Sequence, residues 1–278
     1  MDSEEFAMQA DHAVLCGGKR LNGIFAENSS DHPLVSVVTV LFNGRPSVAG
    51  CLDSVIRQDY PSIEHIVIDG GSTDGTLDIL RQYDDRLAFW KSEPDQGVYD
   101  AWNKGLREAR GEWICFLGAD DEFLPGAVSA YMACAARNPE AEYLSSRISW
   151  IHPSGFERIL GEPWTWARFA KFMCVAHVGS MHRRSLFDRL GVYNTSYRIV
   201  ADYELLLRAR QSLKAAFMPR TTTMMRAGGI SDSVAALEET TRAKIKAGGR
   251  SPFLAKIEFW IAKAKLALRP LRQWIATR

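Results

Sequence analysis

Three consecutive acidic residues, Asp120, Asp121 and Glu122, come shortly after the apolar run at 112–117. Neighbouring carboxylates repel one another unless a cation joins them, and Mg²⁺ and Mn²⁺ prefer such oxygen ligands. A divalent cation bound there would complete its coordination with phosphate oxygens and water, and would offset the charge on a departing diphosphate. The other interpretation is an acidic first turn of a helix, stabilised by the helix dipole. The segment therefore predicts either a metal site or a helix start.

A second group of polar residues begins at Asp69, where an apolar run turns through Gly70 and Gly71 into Ser72. Glycines at such a turn allow a ligand to approach the backbone closely. An Asp there can accept a hydrogen bond from the N–H edge of a nucleobase, while the following Ser, Thr and Asp residues cap a helix. Because Asp and Gly also dominate turns for local reasons, turn formation explains the same residues equally well.

Alternating strands and helices must position these residues. The predicted strands lie at 34–42, 64–69, 88–90 and 112–117, and helices are predicted between them at 47–58, around 77–80 and at 98–109. This order indicates a parallel sheet. Ligands of open α/β sheets bind beyond the carboxyl ends of the strands, which is where Asp69 and Asp120 fall. The fold class is therefore α/β, with the polar residues collected at one sheet edge.

These two motifs, in this order and each at a strand end, resemble the family-2 glycosyltransferases of the GT-A fold. The resemblance continues through 93–105, 200–208 and 228–231 and covers about 34–233. It implies a Rossmann-like, mostly parallel central sheet flanked by helices, with a C-terminal acceptor-side region, and the spacing of apolar residues near the C-terminus adds a terminal amphipathic helix. The expected divisions are an N-terminal arm at 1–33, a nucleotide-sugar-binding half at 34–130, an acceptor-binding half at 131–250 and the helix at 251–278.

The resemblance also implies a nucleotide pocket. Asp69 would recognise the base, often uracil, and Thr39, Asn43 and Gly71 would line the same pocket. The remaining donor contacts implied in this way are Asp95, Asn103, Ala119, Asp120 and His177. From the residues alone, an isolated histidine in an apolar segment such as His177 is more often structural, and the Asp and Asn residues near 95–103 have a capping explanation.

The resemblance assigns metal binding and catalysis to two acidic residues. Asp120 would be the metal ligand of the family's DxD-type motif, holding Mn²⁺ or Mg²⁺, although Gly118 stands where the motif has its first acid. Asp202 matches the catalytic base of the inverting enzymes. Inverting transfer needs a single base to take the acceptor hydroxyl's proton, so one carboxylate suffices. A helix N-cap is the other interpretation of Asp202.

The C-terminal segment has an apolar face at helical spacing with basic residues beside it. The members of this face are Phe253, Ile257, Trp260, Ile261, Ala264, Leu268, Leu271 and Ile275. This composition is typical of helices that lie in an anionic membrane surface. A closing helix packed on the catalytic domain is an equal alternative, since Phe259 and Leu266 interrupt the stripe and Pro270 ends or kinks the helix. A membrane-surface enzyme would suit a polyprenol-linked acceptor.

The composition excludes several other classes of protein. Its 34 basic and 33 acidic residues leave a net charge of +1, so no overall field attracts nucleic acid. The five cysteines are scattered without a CxxC pair, as expected of buried thiols in a reducing compartment. The N-terminus is acidic and no apolar stretch approaches the roughly 20 residues of a membrane span. We expect a cytoplasmic protein, including one peripheral on the cytoplasmic face of the inner membrane.

The combined interpretation is an inverting glycosyltransferase of the type that builds bacterial surface polysaccharides. It would move a sugar from a nucleotide-diphosphate donor, with a UDP-sugar favoured, to a hydroxyl of a glycan or polyprenol-linked acceptor. Two rivals stay open. A nucleotidyltransferase would need a basic, glycine-rich phosphate loop, of which the segment 41–45 offers little. An inactive nucleotide- or glycan-binding module is suggested by Gly118. A dinucleotide oxidoreductase is disfavoured because no GxGxxG follows the first strand.

Overall fold

Four parallel strands form the centre of a ten-stranded sheet in the computed structural model, which describes residues 14–228 and 233–268. They are ordered β4 (Phe89–Ser92), β3 (Ile63–Asp69), β2 (Val35–Leu41) and β5 (Trp113–Gly118). Every residue of β2 is buried, because helices cover both faces of the sheet. The predicted alternation of strands and helices is confirmed.

The helices pack on both faces of these strands. On one face, Leu106 and its neighbours cover Val38 and Ile68, and on the other, Val55 packs with Val37. The described helices are α1 (Val48–Ile56), α2 (Thr76–Gln82), α3 (Val98–Glu108), α4 (Ala127–Arg137), α5 (Trp166–Phe169), α6 (Arg184–Leu190), α7 (Ala201–Ala209), α8 (Val234–Lys246) and α9 (Pro252–Ala267).

The second half of the chain extends the sheet beyond β5. The added strands are β6 (Glu122–Phe123), β7 (Tyr143–Ile151), β8 (Glu157–Leu160), β9 (Ser180–Arg183) and β10 (Ala215–Arg226). β9 pairs antiparallel with both β5 and β7, β10 pairs parallel with β7, and β6 pairs antiparallel with β10. The two predicted halves of the catalytic domain therefore share one continuous sheet.

The described part of the predicted N-terminal arm also joins the sheet. β1 (Leu15–Gly17) pairs antiparallel with β4, and the backbone N–H of Gly18 donates to Asp84 Oδ1 at 2.7 Å. The guanidinium of Arg20 pairs with the buried carboxylate of Glu64. These contacts are long-range, so the local sequence of the arm gives no sign of them. Residues 1–13 lie outside the described residues.

Helix α9 is apolar on two sides. Its inner side packs on the protein through the buried Ala255 and the partly buried Phe259, Ala262 and Leu266. The opposite side, here called the outer face of α9, is exposed and consists of Phe253, Leu254, Ile257, Trp260, Ile261 and Leu268. The ion pairs of Glu258 with Lys244 at 3.1 Å and with Arg250 at 2.5 Å hold the helix in place. The end of the predicted stripe, including Leu271 and Ile275, lies outside the described residues.

None of the helices described between residues 14 and 268 combines the length and the apolar character needed to cross a membrane.

Candidate active site

Asp69 ends β3 and organises the turn that follows it. Its carboxylate accepts hydrogen bonds from the backbone N–H groups of Gly71 at 3.1 Å and Ser72 at 2.9 Å, and from the hydroxyl groups of Ser72 at 2.5 Å and Ser92 at 2.6 Å. The side chain is completely buried. Gly71 adopts a φ of 85°, which favours glycine. Asp69 therefore builds the turn, and its contact with a base stays a prediction.

The end of β2 is tied to the same turn by Asn43. The backbone N–H of Asn43 donates to Ser72 Oγ at 2.7 Å, and its side-chain oxygen accepts from the N–H of Thr73 at 2.9 Å. The preceding Phe42 is 66% exposed, and its ring lies 3.4 Å from the point where a Cβ on Gly70 would sit. Phe42 thus offers an aromatic surface beside the turn, which the sequence analysis missed although an aromatic at a strand end could have been noted.

Thr39 lies within β2, four residues before Asn43, and its side chain is in the core. Its side chain is fully buried and its Oγ1 lies 2.9 Å from His65 Nε2. Burial lowers the pKa of His65 to about 3, so this imidazole is neutral. The Thr39 side chain therefore belongs to the core and has no exposed surface that a ligand could contact.

The acidic segment does not start a helix. Asp121 leads directly into β6, and α4 begins only at Ala127, so the helix-dipole interpretation is wrong. The point where a Cβ on Gly118 would sit is 3.0 Å from Asp121 Oδ2 and 3.2 Å from Asp120 Oδ1. The two carboxylates therefore converge on one place at the end of β5.

The two acids differ in their surroundings. Asp120 is exposed, whereas Asp121 is 5% exposed and accepts a hydrogen bond from the Gly118 N–H at 2.9 Å. Burial raises the pKa of Asp121 to about 7, and the charge of Asp120 adds to this effect. Two oxygen donors suit a divalent cation that takes its other ligands from a diphosphate and water. No cluster of three His, Cys, Asp or Glu side chains suited to a metal occurs in the described ranges.

The segment after β4 lies against the Asp69 turn. Asp95 accepts a hydrogen bond from the Gly97 N–H at 2.8 Å, and its other oxygen occupies the space that a side chain on Gly70 would need. Burial raises the pKa of Asp95. Lys104 Nζ donates to the carbonyl of Pro94 at 2.7 Å and so fixes this segment to α3.

Asp202 lies in the first turn of α7 without capping it. The N-cap position is Val200, and the Asp202 carboxylate bonds to the N–H of the next residue, Tyr203, at 2.8 Å. Its Oδ1 also accepts from the hydroxyl of Tyr99 at 3.0 Å, while Oδ2 is hydrogen-bonded to no other residue of the described chain. Burial raises the pKa of Asp202 to about 6. One oxygen of a partly desolvated carboxylate is thus left open.

Glu239 of α8 holds the backbone that leads into Asp202. Its carboxylate accepts from the N–H groups of Arg198 at 2.9 Å, Ile199 at 2.9 Å and Val200 at 3.3 Å. The carbonyl of Ile199 in turn accepts from the hydroxyl of Tyr99 at 2.7 Å. Glu239 therefore fixes the backbone immediately before α7, which carries Asp202. The sequence analysis missed it, because nothing near residue 239 shows which backbone it meets.

Asn103 and His177 both act on Tyr193. The Asn103 amide donates to the Tyr193 carbonyl at 2.9 Å and accepts from its N–H at 3.0 Å. His177 Nε2 lies 2.9 Å from the Tyr193 hydroxyl, and its ring stacks on Trp102 with centroids 4.4 Å apart. Burial lowers the pKa of His177 well below its usual value. Both residues are buried supports, and their predicted donor contacts stay predictions.

A chain of neighbouring contacts connects Asp120, Asp69 and Asp202 along the carboxyl edge of the parallel strands. Its steps are Ala119 beside Gly44, Asn43 bonded to Ser72, Asp95 beside Gly70, and Tyr99 bonded to Asp202. The arrangement therefore combines a pair of carboxylates, a glycine-lined turn with an exposed aromatic ring, and a separate carboxylate with a raised pKa.

Known proteins share both the sequence and the fold. The family model described as "Glycosyl transferase family 2" matches residues 36–190. A "PGL/p-HBAD biosynthesis glycosyltransferase" of Mycobacterium bovis (strain BCG / Pasteur 1173P2) is 34% identical over 188 residues, which is 63% of this chain and 69% of that protein. This match covers more than the family model does.

Two solved structures have a similar fold. S. aureus TarS 1–349 in complex with UDP has a TM-score of 0.63 and 17% identity, over 84% of this chain and 71% of that one. In a longer TarS chain the match spans 41% of the length. The mannosyltransferase PcManGT from Pyrobaculum calidifontis, in complex with GDP-Man and Mn²⁺, has a TM-score of 0.60 and 21% identity, over 90% and 75%. The chain has the GT-A fold and belongs to glycosyl transferase family 2.

Proposed function

We propose that this glycosyltransferase moves a sugar, with inversion, from a nucleotide-diphosphate donor to a hydroxyl of a glycan or polyprenol-linked acceptor in polysaccharide biosynthesis. The state of Asp202 carries the proposal, because one of its oxygens is unengaged and its pKa is raised to about 6 at the same sheet edge as the acidic pair. The TarS complex with UDP and the PcManGT complex with GDP-Man support a nucleotide-sugar donor, and we favour a UDP-sugar.

The donor would lie across the carboxyl edge. The Asp69 turn with Gly71 and Asn43 would receive the nucleoside beside the ring of Phe42, and Asp95 and Ala119 would border the sugar and diphosphate. Asp120 and Asp121 would hold a divalent cation there, as the Mn²⁺ of the PcManGT complex supports. When bound, the cation supplies Lewis-acid stabilisation of the leaving diphosphate.

Asp202 would act as the base in the transfer step. Its open oxygen takes the proton of the acceptor hydroxyl while the hydroxyl oxygen forms a bond to the anomeric carbon. The bond from that carbon to the diphosphate oxygen breaks, and its electron pair leaves with the nucleotide. A base with a pKa near 6 is mainly ionised at neutral pH and is more basic than an ordinary carboxylate.

Release of nucleotide from sugar donors in the presence of Mn²⁺ tests this proposal. With UDP-glucose, UDP-GlcNAc and GDP-mannose, we expect release of the nucleoside diphosphate, fastest from a UDP-sugar. A nucleotidyltransferase would instead form pyrophosphate from a nucleoside triphosphate. Donor binding in calorimetry with no release from any donor would leave the inactive binding module as the function.

Glu239→Gln should slow transfer by about 10- to 100-fold in kcat with little change in the donor KM, because a small displacement of a base has effects of that size. The Glu239 carboxylate accepts hydrogen bonds from three backbone N–H groups. In the variant an amide NH₂, which is itself a donor, faces at least one of these N–H groups and cannot accept its hydrogen bond. Steady-state kinetics of donor turnover measure the split between kcat and KM.

The adjacent Glu238 gives a matched control for that variant, because it is exposed and lies on the same helix. We expect Glu238→Gln to keep the wild-type kcat. A Glu239→Gln protein that is fully active, or one that loses donor affinity instead of kcat, would contradict the positioning role.

We further propose that the outer face of α9 binds an anionic membrane surface. Lys256 and Lys263 lie along one border of this face and Lys265 along the other, as the helical spacing requires. Such borders let the ammonium groups reach lipid phosphates while the apolar side chains enter the headgroup layer. The inner side of α9 packs on the catalytic domain while its outer face stays exposed, so the helix can serve both as a closing helix and as a membrane-binding helix.

Replacing Ile257 and Trp260 by Ser should reduce flotation with phosphatidylglycerol vesicles by about tenfold or more, since each large apolar side chain contributes roughly 1.5–3 kcal/mol when buried. Phe156→Ser is the control, because Phe156 is 61% exposed and lies outside α9. Equal flotation of the double variant and the wild type would reject the membrane role. Vesicles of phosphatidylcholine alone should bind the wild type more weakly.

A further inference from the structure

A cavity of about 480 Å³ lies beside Asp202, between α7, α8, α9 and the segment after α5. This volume is within the usual range of ligand sites, about 300–1,000 Å³. Asp202, which we propose as the base, is one of the residues of its wall. Most of the lining is apolar and includes Phe172, Met173, Ile199, Leu237, Phe259 and Ile261.

The charged residues of the cavity wall are unevenly paired. Lys244 lines the cavity and pairs with Glu258 at 3.1 Å, a carboxylate that also pairs with Arg250 at 2.5 Å. Lys171 and Lys265 also line the cavity, and within the described chain neither forms an ion pair. Two unneutralised ammonium groups beside an apolar wall favour a ligand that is both apolar and negatively charged.

The cavity also adjoins the outer face of α9. Ile261 lines the cavity and is 52% exposed as part of that face, and Lys265 lines the cavity from its border. An apolar ligand held in the bilayer surface would therefore meet the cavity where α9 meets the lipid. This continuity distinguishes an amphiphile from a free, fully polar glycan as the occupant.

We propose that this cavity binds the acceptor, and that the acceptor is an anionic amphiphile. Its hydrocarbon part contacts Phe172, Leu237 and Ile261, its anionic group lies near Lys171 and Lys265, and its hydroxyl reaches the open oxygen of Asp202. The inference rests on the proposed function for the role of Asp202. The binding of an anionic amphiphile by the cavity stands on the lining alone.

Calorimetry with octyl phosphate, below its micellar concentration, tests the site on the full chain. We expect octyl phosphate to bind. Uncharged octyl glucoside lacks the anionic group and inorganic phosphate lacks the hydrocarbon chain, so the affinity of each should be lower by about tenfold or more. Equal binding of inorganic phosphate would mean a simple anion site and would overturn the proposal. Equal binding of octyl glucoside would overturn the role of the two lysines.

Charge reversal separates the cavity from the membrane surface. Lys171→Glu and Lys265→Glu should each weaken octyl phosphate binding about tenfold or more, because a cation that attracts the phosphate becomes an anion. Lys256→Glu is the matched control on α9, since Lys256 is exposed and does not line the cavity. It should leave this binding within about twofold while lowering vesicle flotation as Lys265→Glu does. Loss of octyl phosphate binding in all three variants alike would place the ligand on the helix surface and reject the cavity.

The Mn²⁺-dependent release of UDP, with water as acceptor, distinguishes the two proposals. Octyl phosphate should inhibit this release at the concentrations at which it binds, because it occupies the space beside Asp202. Binding without inhibition would show an amphiphile site that is not the acceptor site. Absence of release would defeat the proposed function, while octyl phosphate binding would still decide whether the cavity takes an anionic amphiphile.

Discussion

Asp202→Asn should lower the rate of sugar transfer by about 10²–10⁴-fold, the usual contribution of a general base. The amide can still accept the hydrogen bonds from Tyr99 and the Tyr203 N–H, so the surrounding structure should persist. It cannot take a proton from an acceptor hydroxyl. Donor affinity, measured by titration calorimetry with UDP and Mn²⁺, should stay within about threefold of the wild type, because the residue acts in the transition state.

The wild type and Asp202→Asn should also differ in the pH dependence of kcat/KM. For the wild type, kcat/KM should fall about tenfold for each pH unit below the pKa of Asp202, which is about 6. The residual activity of Asp202→Asn should lack this limb at saturating Mn²⁺, because bound metal keeps Asp121, whose own pKa is about 7, ionised. The exposed Asp188 supplies the control, and Asp188→Asn should keep both the rate and the acidic limb.

A stability measurement separates a catalytic role for Asp202 from a purely structural one. Its folded pKa of about 6 exceeds the usual 3.8, so the ionised form opposes folding fully above pH 6 and not at all below about pH 4. Asp202→Asn removes this cost, which is on the order of 2 kcal/mol for a partly solvated group. Thermal denaturation should therefore show the variant to be the more stable protein at pH 7 and equal to the wild type near pH 4. A variant that is less stable at pH 7 and still active would identify Asp202 as a structural residue.

Asp120→Ala should remove the metal-dependent part of donor binding. Asp120 is the exposed member of the acidic pair, and its Oδ1 lies 3.2 Å from the position that a Cβ on Gly118 would take. Loss of a carboxylate ligand should lower UDP affinity in the presence of Mn²⁺ by about 10- to 100-fold. Without the metal, the variant and the wild type should bind UDP equally, as measured by calorimetry in Mn²⁺ and in EDTA.

The control for this variant is Asp85→Ala, which removes an exposed carboxylate in the turn between α2 and β4. It should keep the full effect of Mn²⁺. The test requires that Mn²⁺ raise the UDP affinity of the wild type and leave that of Asp120→Ala unchanged. If Mn²⁺ does not change the UDP affinity of the wild type, the assignment of Asp120 as a metal ligand is wrong.

The first half of the fold could be predicted because its signals are local. The β-branched runs of β2 and β3 and the Asn-Gly and Gly-Gly turns after them are short-range features, and they fix the positions of Asn43 and Asp69. The sheet beyond β5 could not be predicted in the same way. β9 pairs His182 with Ile114, and no local pattern shows that these segments meet.

The site shows the same division between local and long-range information. Asp120 follows the end of β5, and the hydrogen bond from Tyr99 places Asp202 beside the first turn of α3. By contrast, Asn103 and His177 are both held inside the protein by Tyr193, which lies 90 residues from Asn103 and 16 residues from His177 in the chain. Thr39 is buried because β2 lies between β3 and β5 with helices covering both faces of the sheet. Glu239 went unnoticed because its hydrogen bonds are to backbone groups about forty residues earlier.

The C-terminal helix left two alternatives because its sequence satisfies both. Phe259 and Leu266, which interrupt the predicted stripe, lie on the side that packs on the protein. The described part of the predicted stripe stays exposed, with Trp260 at 63% and Phe253 at 72%. A single helix with two apolar sides cannot be assigned to one partner from its spacing alone.

The grip of Glu239 on residues 198–200 has a consequence for attempts to change acceptor choice by exchanging parts between relatives. A chimaera that takes α8 and α9 from one relative and α7 from another would join a helix to a stretch of backbone that it was not shaped to hold. The donor half would still assemble, yet Asp202 would be left without its anchor. Crossover points for such hybrids therefore belong before residue 198, so that the anchoring carboxylate and the backbone it secures are inherited together.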